Sequence, residues 1–400
     1  MKKLLLIDDD QVVTSIYRKK FTAEGFQVET AVDGEAGLAL ARSFLPDAIV
    51  LDLMLPKLSG VEVLKALRAD DGLKGIPVVV LSNAYLGPVV EEARRAGANE
   101  CLAKTNCPPN KVVQVVRSVL PAAAASQPAA AKPAATAAPD QAHHAPPPPT
   151  TQTDDEQFQA DLRKSFIERL PAALAAFQML LQELVKSQGQ SQRLLLLHQL
   201  HAKIRALTGS AGLVGMQQIA QMTAALEVLI KELHDKPKNF NASTLRTVTA
   251  AIDFLGVLFD RAAQDGMEEV PTANVLVVDD EPISRRAVNY ALEKTNLKSI
   301  STEDPQSALD LLGRNRFDLI ILDVNMPGMT GFELCTKIRT LPVHAKTPVI
   351  FVTGLTDFES HARSLASGGN DLIAKPFLFI ELAVKALLCV LRSRLGPEKK

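Results

Sequence analysis

Asp8, Asp9, Asp52, Ser82 and Lys104 are residues of this 400-residue sequence whose types and spacing suit one piece of chemistry. Gathered at one place, three carboxylates, a hydroxyl and an ammonium would hold a cation and an anionic group together. Crowded carboxylates repel one another and need positive charge among them. Hard oxygen donors, with room for water and phosphate, suit Mg²⁺. A carboxylate can also act as a nucleophile toward phosphorus. The cation and the lysine would neutralise phosphoryl oxygens while the hydroxyl donates a hydrogen bond.

The same set returns 271 positions later. Asp8, Asp9, Asp52, Pro56, Gly60, Ser82 and Lys104 recur as Asp279, Asp280, Asp323, Pro327, Gly331, Thr353 and Lys375, all in one register. Polar and turn residues held in step over a whole domain length indicate a duplicated domain. In the first copy Leu4–Ile7, Ala48–Leu51, Val78–Leu81 and Glu100–Ala103 read as buried strands, with Gln27–Thr30 a weaker fifth. The second copy offers Val275–Val278, Leu319–Leu322, Val349–Val352 and Asp371–Ala374. Short Val- and Ile-rich runs bounded by Asp, Gly or Pro favour a parallel sheet covered on both faces. With helical patterns between them, such as Gly34–Ser43 and Val61–Arg68, the strands make a five-stranded doubly wound α/β domain. Ligands of such sheets gather beyond the carboxyl ends of the strands, where the acidic residues, hydroxyl and lysine all fall.

The middle of the chain follows a different period. Phe166, Leu170, Leu174, Phe177, Leu181 and Leu184 fall at steps of three or four, as do Leu197, Leu200, Ile204 and Leu207. Further helical patterns cover about 216–234 and 243–264, so an antiparallel four-helix bundle is expected, with a kink or break at Pro171. Eight of the 24 prolines lie in 121–153, mixed with alanine, which marks an extended linker. The expected order is therefore a first α/β domain at 1–120, the linker at 121–153, the helical bundle at 154–266 and a second α/β domain at 271–393.

Composition narrows the function. The formal net charge is −1, and no segment has the basic excess of a phosphate-backbone binder, so no nucleic-acid partner is expected. The four cysteines lack metal-ligand spacing and fit a reducing, cytoplasmic setting. No apolar run approaches the roughly 20 residues that cross a bilayer, so no membrane insertion is expected.

Both ends resemble receiver domains of response regulators, CheY-like members of the flavodoxin-like class. The resemblance rests on the motif D-x-x-[ML]-P-x-x-x-G at Asp52–Gly60 and Asp323–Gly331, with the upstream acidic pair and the downstream hydroxyl and lysine. It implies that Asp52 and Asp323 accept phosphoryl groups. It implies that Asp8, Asp9, Asp279 and Asp280 help hold Mg²⁺ with the backbone carbonyls of Met54 and Asn325. Ser82, Lys104, Thr353 and Lys375 would stabilise the phosphoryl group. Two departures stand out. Thr105 follows Lys104 where the family has proline, kept at Pro376, and Cys101 and Leu372 replace the usual aromatic switch residue.

The stretch Leu200–Gly215 resembles the histidine-phosphotransfer signature H-x-L-K-G-S-A-x-x-L-G, and Phe166–Leu184 resembles that family's first helix. Arg205 stands where the family carries its phosphorylated histidine, and Thr208 where a lysine follows. A guanidinium stays protonated and offers no free lone pair, so Arg205 cannot relay phosphate. His201, one turn earlier on the helix, is the alternative acceptor and would make the chain a phosphorelay transferase. The other reading has Arg205 enter a receiver's acidic pocket and pair with its carboxylates, so that the bundle docks without transferring phosphate.

The expected function is that of a phosphorylation-regulated response regulator signalling through protein–protein contacts. Its phosphodonor would be a sensor histidine kinase or phosphotransfer protein, and its targets other receiver or effector proteins. No enzyme for an external substrate is expected, and the third reading is a phosphorylation-silent scaffold.

Overall fold

The computed structural model describes residues 1–82, 87–104, 108–120, 152–264, 273–295, 297–354 and 366–395. The first α/β domain runs β1 (Lys2–Ile7), α1 (Gln11–Ala23), β2 (Phe26–Ala31), α2 (Gly34–Phe44), β3 (Ala48–Asp52), α3 (Gly60–Ala69), β4 (Val78–Ser82), α4 (Gly87–Arg95), β5 (Glu100–Ala103) and α5 (Pro109–Val119). Its strands form one parallel sheet in the order β2-β1-β3-β4-β5. The central strand β3 is buried along its length because helices cover both faces, which is why its sequence is unbroken Ala-Ile-Val-Leu before Asp52.

Four helices follow: α6 (Gln152–Lys186), α7 (Gln190–Leu213), α8 (Gln217–Asp235) and α9 (Ala242–Gln264). They bury one continuous core, with Phe177, Leu197, Leu200, Ile204, Leu229 and Leu255 at its centre. Pro171 does not break α6, which runs through it with the proline on the exposed side. The ring removes one N–H donor, but Leu170 and Phe177 on either side are buried and hold the two halves in line. Helix α9 is long and apolar enough to cross a bilayer, yet here it is a bundle-core helix with about half its apolar window buried.

The second α/β domain comprises β6 (Asn274–Val278), α10 (Pro282–Lys294), β7 (Lys298–Thr302), α11 (Pro305–Arg314), β8 (Leu319–Asp323), α12 (Gly331–Thr340), β9 (Val349–Thr353), β10 (Asp371–Ala374) and a last helix, α13 (Phe379–Leu395). Its sheet repeats the first, with the order β10-β9-β8-β6-β7. Strand β7 had no apolar run to announce it: Lys-Ser-Ile-Ser-Thr is a half-exposed edge strand.

Helix α13 serves two cores at once. Leu382, Ala386 and Val390 pack under their own sheet, while Val384, Leu387, Leu388 and Leu391 complete the core of the bundle. The Glu381 carboxylate accepts hydrogen bonds from Ser243 (2.6 Å) and Thr247 (3.2 Å) of α9. A helix apolar around most of its circumference needs partners on both sides. In the first domain the position matching Leu388 is Arg117, which instead pairs with Glu24 at 2.6 Å.

Leu388 is 5 % exposed in a core shared by two domains. Leu388→Ala should cost about 2–4 kcal/mol, the usual range for emptying such a site. It would be read as a lowered urea midpoint for the bundle and second domain; an unchanged midpoint would mean that α13 is not part of that core.

Candidate functional site

Strand register brings the acidic residues together. Ile7 of β1 stands beside Leu51 of β3, so the next residues, Asp8 and Asp52, emerge side by side at the sheet's rim. Val278 and Leu322 hold the same relation in the second sheet, which delivers Asp279 beside Asp323. The loop after each of these aspartates must turn back sharply. A Cβ on Gly60 would lie 2.2 Å from the Asp52 carbonyl oxygen, and one on Gly331 would lie 2.2 Å from that of Asp323. The motif's final glycine is thus required by a close backbone approach. Ser59 with Glu62, and Thr330 with Glu333, then form capping boxes that start the next helix.

Asp8, Asp9 and Asp52 each present a carboxylate oxygen within 4.8 Å of the others, as do Asp279, Asp280 and Asp323. Each cluster thus offers a compact, all-oxygen donor set of the kind a small hard cation requires. In the first domain the Lys104 ammonium donates to Asp8 at 2.9 Å and to Asp52 at 2.8 Å. In the second, Lys375 lies 3.2 Å from Asp279 and 3.3 Å from Asp323. The Ser284 hydroxyl and the Glu281 amide also donate to Asp279. Thr353 ends β9 and is fully buried; the side chain of its counterpart Ser82 lies outside the described residues. The Lys375–Pro376 bond is cis, whereas residues 105–107, after Lys104, lie outside the described residues.

The two pockets differ in one respect. Arg205 of α7 reaches into the first and not the second. Its Nη2 donates to Asp9 at 2.7 Å, to Asp52 at 2.8 Å and to the carbonyl oxygen of Met54. Gly209, one turn on, lets α7 close against α1: a Cβ there would meet Val13 at 3.0 Å and Asp10 at 3.4 Å. Leu213, a further turn on, is buried in the first domain's own core with Val13, Tyr17 and Phe21. Arg205, Gly209 and Leu213 lie four residues apart along one stripe of the helix. Among the described residues, no cation of the bundle reaches Asp279, Asp280 or Asp323.

His201 and Thr208 lie within a turn of Arg205 on α7, but neither follows it into the acidic pocket. Thr208 is buried within the bundle, where its hydroxyl donates to the Ile204 carbonyl at 3.0 Å. The His201 Nε2 lies 4.0 Å from Glu227 of α8, away from the acidic pocket. One turn of α-helix leaves a residual rotation, and His201 falls on the side facing α8. The stripe that meets the first domain continues instead through Gly209 and Leu213, which the sequence reading did not select for contact.

Charge follows this geometry. Burial pushes the Asp8 carboxyl up to about 6, against the pull of Lys104. Burial also raises Asp9, opposed by Arg205. Asp52 is the exception. Burial would raise it, but Lys104 and Arg205 together outweigh burial and hold it below the ordinary carboxylate range. Its counterpart Asp323 is raised by burial, with Lys375 only partly offsetting that. Asp52 is thus clamped between two cations.

Comparison with known proteins agrees with the duplication. A family model described as response regulator receiver domain matches residues 4–117 and 275–386. Protein RcaC of Microchaete diplosiphon is 35% identical over 126 residues, 32% of this chain and 19% of that protein. The transcriptional regulatory protein YvrH of Bacillus subtilis is 36% identical over 114 residues, 28% of this chain and 47% of that protein. The chain therefore spans less than half the length of either relative. Among solved structures, the chemotaxis response regulator CheY4 of Vibrio cholerae is 35% identical, covering 30% of this chain and 99% of that one, with a TM-score of 0.28.

Burial, followed by the nearby Arg205 charge, lowers the His201 imidazole to about 4. A histidine whose folded value lies below its unfolded value of about 6.5 protonates first in the unfolded chain. Its neutral form supports the fold fully above that pH, and the support is lost as pH falls from about 6.5 to 4. His201→Gln should therefore lose less urea resistance than the wild type between pH 7 and pH 4.5; equal losses would mean that His201 titrates normally.

Proposed function

The chain belongs to the response regulator receiver family, with one copy near each end, and we propose that it is a two-component signalling protein in which Asp323 is the readily phosphorylated acceptor. The observation that carries this reading is that both pockets hold the same three carboxylates and lysine, and only the first is filled by Arg205. The middle bundle, histidine-phosphotransfer-like in sequence, acts as a docking module for receiver 1 and not as a phosphate carrier.

The chemistry at receiver 2 follows from its residues. A carboxylate oxygen of Asp323 attacks the phosphorus of a phosphohistidine or a small acyl phosphate. For a phosphohistidine donor the P–N bond breaks, and its electron pair leaves on the imidazole nitrogen; for an acyl phosphate the bridging P–O bond breaks, and the pair leaves on the carboxylate oxygen. Lys375, now beside both Asp279 and Asp323, takes up one phosphoryl oxygen, and Thr353 at the end of β9 donates to another. Mg²⁺, held by Asp279, Asp280, Asp323 and the Asn325 carbonyl, would neutralise charge on the incoming group. Asp52 is the second acceptor; Asp8, Asp9, Asp52 and the Met54 carbonyl would hold Mg²⁺ there, with Lys104 and Ser82 as phosphoryl partners.

The near-even charge, −1 overall, supports an output through protein contacts, and four cysteines without metal-ligand spacing fit a reducing, cytoplasmic setting. The donor is a sensor histidine kinase or a phosphotransfer protein. A relay through His201 finds no support in a side chain turned toward α8.

Intact mass after incubation with Mg²⁺ and acetyl phosphate tests the assignment. The wild type should gain one phosphoryl group quickly, Asp52→Ala should keep it, and Asp323→Ala should lose it. Lys375→Ala should slow uptake on the order of 10²-fold, the usual effect of removing a charge-stabilising donor. Loss of the rapid increment in Asp52→Ala and not in Asp323→Ala would reverse the assignment. No uptake by the wild type would point to a phosphorylation-silent scaffold.

A further inference from the structure

Three oxygens converge on one nitrogen of Arg205: a carboxylate oxygen each from Asp9 and Asp52, and the carbonyl oxygen of Met54. These are the groups that would hold a cation in receiver 1. The space left among Asp10, Asp52, Met54, Lys104, Arg205 and Gly209 is about 10 Å³. That is room for at most one water molecule, and neither a hydrated divalent ion nor a phosphoryl group can enter beside the guanidinium. Arg205 and Gly209 of α7 wall the pocket at Asp52, so a donor reaches that carboxylate only by displacing the helix.

We propose that Arg205 is a built-in competitor for the divalent cation of receiver 1, so that this receiver acts as a latch on the bundle. Without the cation, its acidic pocket grips α7. With the cation and a phosphoryl group on Asp52, the pocket has no place for the guanidinium. Arg205 then leaves, and Gly209 and Leu213 withdraw with it from Val13 and Tyr17 of α1. The proposal deepens the reading of Asp8, Asp9 and Asp52 as a cation and phosphoryl site and rests on it.

Linkage makes the idea quantitative: the factor by which docking weakens the cation is the factor by which the cation weakens docking. The full chain carrying Asp280→Ala and Asp323→Ala isolates the first pocket, because two ligands of the second are gone. Mn²⁺ titration followed by electron paramagnetic resonance then compares Arg205 with Arg205→Ala and Arg205→Gln. Circular dichroism identifies any variant that fails to fold, and two substitutions guard against relying on one. The expected result is about tenfold or more tighter Mn²⁺ binding in both variants, within the usual range of coupling. Equal affinity in all three chains would overturn the competition while leaving the cation site intact. No Mn²⁺ binding in either variant would overturn the cation-site reading and the competition together. Small-angle scattering gives a second readout. Mg²⁺ with beryllofluoride should expand the Arg205 chain to the radius of gyration of Arg205→Ala, and a radius that stays at its unloaded value would also overturn the latch.

Discussion

Carboxylates brought within a few ångströms of one another by strand register cannot all remain ionised unless positive charge is placed among them. That constraint arises twice in this chain and is met differently each time. In receiver 1 it is met by Lys104 and by an arginine from another domain. In receiver 2, Lys375 sits farther from its two partners. The contrast appears in the two matching aspartates: Asp52 is lowered from its ordinary value and Asp323 is raised. The closer lysine and one side chain 153 positions away in sequence both pull Asp52 down.

The two receivers also attach to the bundle by different physics. Receiver 2 contributes α13 to a shared apolar core, an arrangement whose separation would expose Val384, Leu387, Leu388 and Leu391 together. Receiver 1 is held by a polar plug, a close glycine contact and one buried leucine. The first attachment is the durable one. The second is small and charged, and its strength depends on what else occupies the pocket.

Much of this was legible before any coordinates. The repeat in one register, the strands read at Ala48–Leu51 and Leu319–Leu322, and the four helices all follow from period and residue type. Arg205 could be recognised as a residue for an acidic pocket from its place in the motif, because the chemistry of a guanidinium excludes the alternative role. Which of the two pockets it fills could not be read, since both offer the same residues and the choice lies in tertiary packing. The inward turn of Thr208 and His201 was missed because i, i+3 and i+4 spacing defines a broad face, and only packing says which edge of it is covered. The second apolar face of α13 did have a signal: Leu388 stands where the first copy has Arg117, and Leu387 and Leu391 flank it.

Arg205 and the pocket it fills belong to a single chain, so their encounter is not governed by how much protein is present. Thirty-one residues, 121–151, separate α5 and its flanking Leu120 from the start of α6. A covalent tether that can span two such surfaces raises their effective concentration, up to the millimolar range. A free receiver at micromolar concentration would have to bind the Arg205 stripe roughly a thousandfold tighter to displace the resident one. Seated α7 is thereby insulated from the many other receivers a cell contains, and cross-talk through this face is suppressed by connectivity before any discrimination by sequence begins.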